Sequence, residues 1–83
     1  MSYSVDILRG AQKELAKLSL PDYQRLCQHI EKLSSDPRPF GSKKLVARPG
    51  WRIRVGRHRV IYEIYDKDKK VVVLNIGHRK DIY

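Results

Sequence analysis

The predicted architecture follows from residues 51–62, WRIRVGRHRVIY. The first half of this segment alternates strictly between apolar and basic residues, as in a strand with one buried face: Trp51, Arg52, Ile53, Arg54 and Val55. Gly56 and Arg57 then form a glycine-first, two-residue turn signal, and a second strand is predicted from His58 to Tyr65. The segment therefore predicts a β-hairpin with one apolar face and one basic face.

The predicted hairpin register brings like charges together. With the turn at its glycine, Arg54 lies directly opposite Arg59, and Arg52 extends the same face. Two like charges side by side are unfavourable in a sheet, so we interpret the cluster as a site that holds an anion. Guanidinium groups bind phosphate oxygens through paired hydrogen bonds and stay charged at neutral pH. The alternative interpretation is a solvated face that keeps a sheet edge soluble.

The charge of the whole chain also indicates a polyanionic partner. Its 83 residues include 18 Lys and Arg against 9 Asp and Glu, which gives a net charge of +9. No acidic residue occurs between Asp36 and Glu63. The basic residues of this acid-free window are Arg38, Lys43, Lys44, Arg48, Arg52, Arg54, Arg57 and Arg59. The concentration of charge favours a specific anion site over general solubility.

The N-terminal half predicts a strand and two helices. Tyr3, Val5 and Ile7 alternate with polar residues, and Arg9-Gly10 is a turn signal that ends this strand. A first helix follows and is broken at Ser19-Leu20-Pro21, where a second helix starts with the proline at its first position. The apolar positions of the two helices are Ala11, Leu15 and Leu18, then Tyr23, Leu26, Cys27, Ile30 and Leu33.

The C-terminal half completes one α+β domain over residues 1–83. Prolines at 37 and 39 end the second helix, and a basic connector through Lys43-Lys44-Leu45 leads to the hairpin. Residues 71–76 are apolar on both faces, as expected of an interior strand. We predict an N-terminal strand and a two-helix hairpin packed on one face of a largely antiparallel sheet of about four strands.

The last strand is predicted to run on into a polar tail. Strict alternation places Val73, Asn75, Gly77 and Arg79 on one face, and Leu74, Ile76 and His78 on the other. An interior strand would deliver Arg79 beside the hairpin, so Arg79 is expected to join the arginine cluster. Tyr83 is a further candidate, although terminal residues are often frayed.

Three segments together resemble the RelE/ParE superfamily of toxins from type II toxin–antitoxin modules, on the RelE side. They are Trp51-Arg52-Ile53-Arg54-Val55, Arg59-Val60-Ile61-Tyr62 and Gly77-His78-Arg79-Lys80-Asp81-Ile82-Tyr83. The resemblance implies an endoribonuclease that enters the ribosomal A site and cuts messenger RNA by attack of the ribose 2′-hydroxyl on the adjacent phosphate. It implies no metal and no other cofactor. It also implies a cognate antitoxin in a hetero-oligomeric complex.

The resemblance also implies roles for individual residues. Arg59 and Arg79 would stabilise the phosphate, with Arg79 also a candidate acid, and Tyr83 would orient or stack on a base. In the best-known relative, lysines with a role in proton transfer replace Arg52 and Arg54, and arginine is too basic for that role. The residues expected to bind RNA are Lys43, Lys44, Arg52, Arg54, Arg57, His78 and Lys80.

The identity of the general base is therefore open. His78 and His58 have the right intrinsic pKa for acid–base work, but the expected positions of both favour a structural role. Glu63 lies on the Arg59 face near the far end of its strand, where an ordinary surface charge is expected.

Two other functions remain as alternatives. A ParE-type toxin would share the fold and inhibit DNA gyrase without cleaving RNA. A simple RNA-binding module would show more exposed aromatic residues among its basic residues than Trp51 and Tyr62, which are both expected to face the core. The lone Cys27 cannot form an internal disulfide, and no apolar run is long enough to span a membrane, so we expect a cytoplasmic protein with no membrane role.

Overall fold

The computed structural model describes residues 2–78. Its elements, in chain order, are β1 (Ser4–Ile7), α1 (Arg9–Ala16), α2 (Leu20–Lys32), β2 (Lys43–Lys44), β3 (Trp51–Val55), β4 (His58–Tyr65) and β5 (Lys70–His78). The strands form one sheet in the order β1-β5-β4-β3-β2. β1 runs parallel to β5, and the other neighbouring strands pair antiparallel. The predicted α+β architecture is confirmed, with a sheet of five strands instead of about four.

The additional strand is β2, which the sequence presents only as a basic connector. Lys43 pairs with Arg52 and Lys44 pairs with Trp51, so β2 forms the edge of the sheet beside the hairpin. Two residues are too few to show an alternating pattern. The pairing matters for the site because cross-strand partners share a face, which places Lys43 beside Arg52.

The start of α1 differs from the prediction. Arg9 and Gly10 form the first turn of the helix and not a turn before it. Leu8 caps the helix in an extended conformation, and its carbonyl accepts a hydrogen bond from the Gln12 amide at 2.9 Å. The Gln12 side chain donates to the Ile7 carbonyl at 2.7 Å. These bonds fix the entry into the helix despite the low helix propensity of glycine.

Both helices cover the same face of the sheet, which we call the helix face. The buried core combines Ala11, Leu15, Leu26, Ile30 and Leu33 with the strand residues Ile53, Val55, Val60, Tyr62, Val71, Val73 and Ile76. The strand residues belong to β3, β4 and β5, and their neighbours in sequence point the other way. The second face of the sheet is thus left for polar groups.

The pairing of β4 with β5 contains a bulge that corrects the predicted alternation. Ile61 and Tyr62 pair with Asn75 and Val73, which leaves Leu74 as an extra residue. An extra residue reverses which side chains point to each face. Val73 therefore faces the helices with Tyr62, whereas strict alternation placed it with Asn75.

The chain between α2 and β2 is held at several points. The hydroxyl of Tyr62, which is fully buried, donates to the Pro37 carbonyl at 2.7 Å. Arg38 forms an ion pair with Asp66 in the β4–β5 turn at 2.9 Å, and the Tyr3 hydroxyl donates to the same carboxylate at 2.7 Å. The exit from α2 is thus tied to both the core and the sheet.

Candidate nucleic-acid interface

Two rows of cross-strand neighbours form the face of the sheet opposite the helices, which we call the arginine face. Arg54 pairs with Arg59, as the hairpin register predicted, and Arg59 pairs with Gly77 on β5. The next row runs from Lys43 through Arg52 and Ile61 to Asn75. Gly56 supplies the positive φ of 61° that the first position of its turn requires. The turn geometry thus fixes the like-charge pair.

A cleft of about 660 Å³ opens over this basic surface. The residues that line it are Lys43, Lys44, Leu45, Val46, Ala47, Arg48, Arg52, Arg54 and Arg59. No carboxylate from residues 2–78 lines it. A cavity with converging cations and low-dielectric walls concentrates positive potential, so it attracts anions such as phosphate.

Arg52 forms a buried part of the basic surface. It is only 7% exposed, and its cross-strand neighbour Ile61 is fully buried. Arg52 and Arg54 take part in none of the salt bridges found within residues 2–78. A buried cation is costly without a counter-charge. A bound phosphate would supply that charge.

The outer wall of the cleft is the loop between β2 and β3. The Leu45 amide donates to the Gly50 carbonyl at 3.0 Å, which closes the loop. Gly50 has a φ of 123°, and a Cβ atom there would lie 3.3 Å from both Leu45 Cδ1 and the Tyr62 carbonyl oxygen. Glycine is thus required for the close approach of the loop to β4. The loop places Arg48 at the cleft, a residue that the sequence marked only by its position in the acid-free window.

Only some of the other residues predicted to bind or cleave RNA are seen at the cleft. Lys43 and Lys44 line the cleft, and the Lys44 Nζ atom also lies 5.8 Å from the centre of the Trp51 ring. Arg57 is exposed at the hairpin turn and does not line the cleft. Arg79, Lys80 and Tyr83 lie outside the described residues.

Both candidate histidines lie away from the arginine face. His58 pairs with Val55 and with His78, which places both imidazoles on the helix face at the end of the sheet. Their ring centres are 6.0 Å apart in an edge-to-face arrangement. Glu63 accepts a hydrogen bond from the Tyr65 hydroxyl at 2.5 Å, and this bond raises the pKa of Tyr65. None of these three candidate bases lines the cleft.

The described residues form neither a metal site nor a membrane-spanning helix. Within residues 2–78, no three histidine, cysteine or acidic side chains converge as a metal site. Neither α1 nor α2 has the length and apolar character needed to cross a membrane.

Two helices on one side of the sheet and an arginine cleft on the other define a small basic α+β protein with its basic cleft on one face. Residues 5–83 match the family described as ParE toxin of type II toxin-antitoxin system, parDE. The chain therefore belongs to this toxin family, within the RelE/ParE superfamily. The resemblance seen in the sequence is confirmed.

Individual relatives agree with the family assignment. A relative named RelE1 from Methanocaldococcus jannaschii is 28% identical over 87 aligned positions, which cover 100% of this chain and 97% of the relative. The archaeal RelE–RelB complex of Pyrococcus horikoshii contains a chain that is 31% identical, with a TM-score of 0.86 and coverage of 98% of this chain and 99% of that one. The RelBE2 toxin–antitoxin complex of Mycobacterium tuberculosis gives 27% identity and a TM-score of 0.84, with coverage of 95% and 100%.

Proposed function

We propose that this toxin is an endoribonuclease that cleaves messenger RNA at the ribosomal A site. The observation that carries the proposal is the arginine cleft, in which Arg54 lies opposite Arg59 and Arg52 is buried beside them. A surface used only to bind a protein does not need cations that converge on a single cavity. A phosphodiester does, because its negative charge increases in the transition state.

The chemistry is an in-line transfer at phosphorus. The ribose 2′-oxygen forms a bond to the adjacent phosphorus while the bond to the 5′-oxygen breaks. The 2′-proton goes to a base, and the leaving 5′-oxygen takes a proton from an acid. The products are a 2′,3′-cyclic phosphate, which water can open to a 3′-phosphate, and a 5′-hydroxyl. Arg52, Arg54 and Arg59 stabilise the charge on the non-bridging oxygens.

Two further roles rest on the resemblance to RelE. Arg79 would add charge at the phosphate or protonate the leaving oxygen, and Tyr83 would orient or stack on a base. Both residues lie outside the described part of the chain.

Lys43 is our candidate for the general base. It lines the cleft and lies directly across from Arg52 on the same face of the sheet. Lysine exchanges a proton far more readily than arginine. The histidines at 58 and 78 are on the helix face, so they cannot reach a phosphate in the cleft without a rearrangement. In this assignment, Lys43 takes the proton-transfer role that the resemblance gives to lysines at the positions of Arg52 and Arg54.

The proposed protein partner is a cognate antitoxin. The Pyrococcus and Mycobacterium relatives are found in complexes with antitoxins. A net charge of +9, much of it around one cleft, favours an acidic partner segment that covers the cleft and blocks RNA. The complex would then be a toxin–antitoxin hetero-oligomer.

The second candidate function is inhibition of DNA gyrase. The matched family description names ParE, and this favours a toxin of that kind. One experiment separates the two functions: purified toxin is added to programmed ribosomes, the ends of the messenger RNA are mapped, and gyrase supercoiling is measured in parallel. Cleaved messages with unaffected gyrase would support the ribonuclease. Intact messages with inhibited gyrase would establish the ParE-type function instead.

A further inference from the structure

Phe40 is held in full contact with solvent at the tip of a tight turn. Its relative exposure is 108%, the highest among the large apolar side chains of residues 2–78. The Ser42 amide donates to the Pro39 carbonyl at 2.9 Å, and Gly41 has a φ of 91°. This is a β-turn whose third position needs glycine, with Phe40 at the second position. The aromatic ring is thus displayed outward by the backbone itself.

The turn that carries Phe40 follows a firmly anchored segment. Pro37 is buried and accepts the hydrogen bond from the Tyr62 hydroxyl. Arg38 forms its ion pair with Asp66, and its guanidinium carbon lies 5.3 Å from the centre of the Trp51 ring. An aromatic side chain on a rigid backbone segment loses little conformational entropy when a partner binds it. The position suits a contact residue.

The surroundings of Phe40 are basic. Lys43 and Lys44 follow within four positions, and both line the cleft. Phe40 lies three positions before Lys43, so the two Cα atoms are at most about 11 Å apart. A single bound nucleic-acid strand can therefore contact both the Phe40 ring and the cleft. No acidic residue occurs from Pro37 to Tyr62. The buried centre of a protein interface combines several apolar residues, whereas Phe40 is the one large exposed apolar side chain of residues 37–44. A single ring beside lysines matches the pattern that binds single-stranded nucleic acid.

We infer that Phe40 stacks on a base of single-stranded RNA that extends out of the arginine cleft, while Lys43 and Lys44 bind the intervening phosphates. The inference rests on the proposed ribonuclease function and adds a second contact to it, outside the position of the cleaved phosphate. Stacking on one ring is tolerant of sequence, because every base has an aromatic face. The contact thus sets the position of the strand and adds affinity with little codon preference.

The test measures RNA affinity and not cleavage. The probe is a labelled single-stranded oligonucleotide with a 2′-O-methyl group at every ribose, and binding to the free toxin is followed by fluorescence anisotropy at low salt. Phe40→Ala is expected to weaken binding about 5- to 100-fold, whereas Phe40→Trp retains it. Leu20→Ala is the matched control, because Leu20 is 66% exposed on α2 and is expected to bind as the wild type does.

Abasic oligonucleotides then identify the contact. Removing the base that stacks on Phe40 is expected to weaken wild-type binding as much as Phe40→Ala does, and to have no further effect on that variant. Unchanged RNA affinity in Phe40→Ala would overturn the inference, as would an equal loss for every abasic position. Loss of antitoxin affinity with unchanged RNA affinity would assign Phe40 to a protein interface instead. Cleavage on programmed ribosomes is scored separately, so the ribonuclease proposal can stand when this inference fails.

Discussion

Arg54 on β3 and Arg59 on β4 lie directly opposite each other, one pair away from the hairpin turn. Both side chains belong to the face of the sheet that the helices leave uncovered, and both line the cleft. Like charges in this position destabilise a sheet locally. A phosphate bound between the two guanidiniums would reduce this repulsion, and anion binding would then stabilise the folded chain.

The first prediction concerns this link. Arg54→Gln is expected to raise the free energy of unfolding by about 0.2–1 kcal/mol, because it removes one of the two facing charges. The same change is expected to weaken RNA binding and to reduce its salt dependence, because one phosphate contact is lost. Urea denaturation and anisotropy titrations at several salt concentrations measure the two effects.

Arg9→Gln is the matched control for this pair of measurements. Arg9 is exposed in the first turn of α1, on the other side of the sheet, so its loss removes the same charge without touching the cleft. If Arg54→Gln and Arg9→Gln behave alike in both measurements, the facing arginines have no special role.

The second prediction tests Lys43 as the general base. Lys43→Arg keeps the positive charge beside Arg52 but replaces the amine with a group that hardly releases its proton. We expect RNA affinity to change by less than about threefold, while single-turnover cleavage falls about 100-fold or more. Parallel losses of affinity and cleavage would instead make Lys43 a phosphate-binding residue.

The hairpin and its like-charge pair are predictable from the sequence alone. A two-residue turn fixes the register, and strict alternation from Trp51 to Val55 fixes which side chains share a face. The prediction that Arg54 faces Arg59 is therefore confirmed. The turn residues and the alternation of residues 51–55 determine this part of the site.

The remainder of the site depends on contacts that local patterns do not show. β2 has only two residues, so no periodicity reveals that Lys43 pairs with Arg52. Residues 71–76 are apolar on both faces, and such a run cannot show the bulge at Leu74. The cleft wall depends on the close approach of Gly50 to the carbonyl of Tyr62, which is a tertiary contact.

The third prediction concerns the anchor of the segment before Phe40. Tyr62→Phe removes the hydroxyl that donates to the buried Pro37 carbonyl, so the free energy of unfolding is expected to fall by about 1–2 kcal/mol. Tyr65→Phe is the control, because that hydroxyl bonds to Glu63 near the surface and its loss is expected to cost less than about 0.5 kcal/mol. Equal effects in the two variants would show that burial of the Tyr62 bond contributes nothing extra.

The fourth prediction is a pH dependence at the β4–β5 turn. Hydrogen bonds from Arg38 and Tyr3 lower the pKa of Asp66 from 3.8 to about 2. Because this pKa is lower in the folded state than in the unfolded state, the stabilisation is present above pH 3.8 and is lost as the pH falls through about 2. The wild type is expected to lose stability more steeply than Asp66→Asn across that window, as measured by urea denaturation at each pH.

Asp68→Asn provides the comparison for this experiment. Asp68 lies in the same turn and forms no salt bridge within the described part of the chain. Its pH profile is expected to follow that of the wild type. Parallel profiles for the wild type and Asp66→Asn would rule out the ion pair with Arg38 as the source of acid sensitivity.

Cleavage of messenger RNA on programmed ribosomes, scored by mapping the new RNA ends, tests the arginine cleft as the working site most directly. The wild type and Arg9→Ala are expected to cleave equally, whereas Arg59→Ala is expected to lose about 100-fold or more in rate with its fold intact by circular dichroism. Arg79→Ala is expected to behave as Arg59→Ala does. Undiminished cleavage by the folded Arg59→Ala and Arg79→Ala variants would contradict this account, as would intact messages with the wild-type toxin.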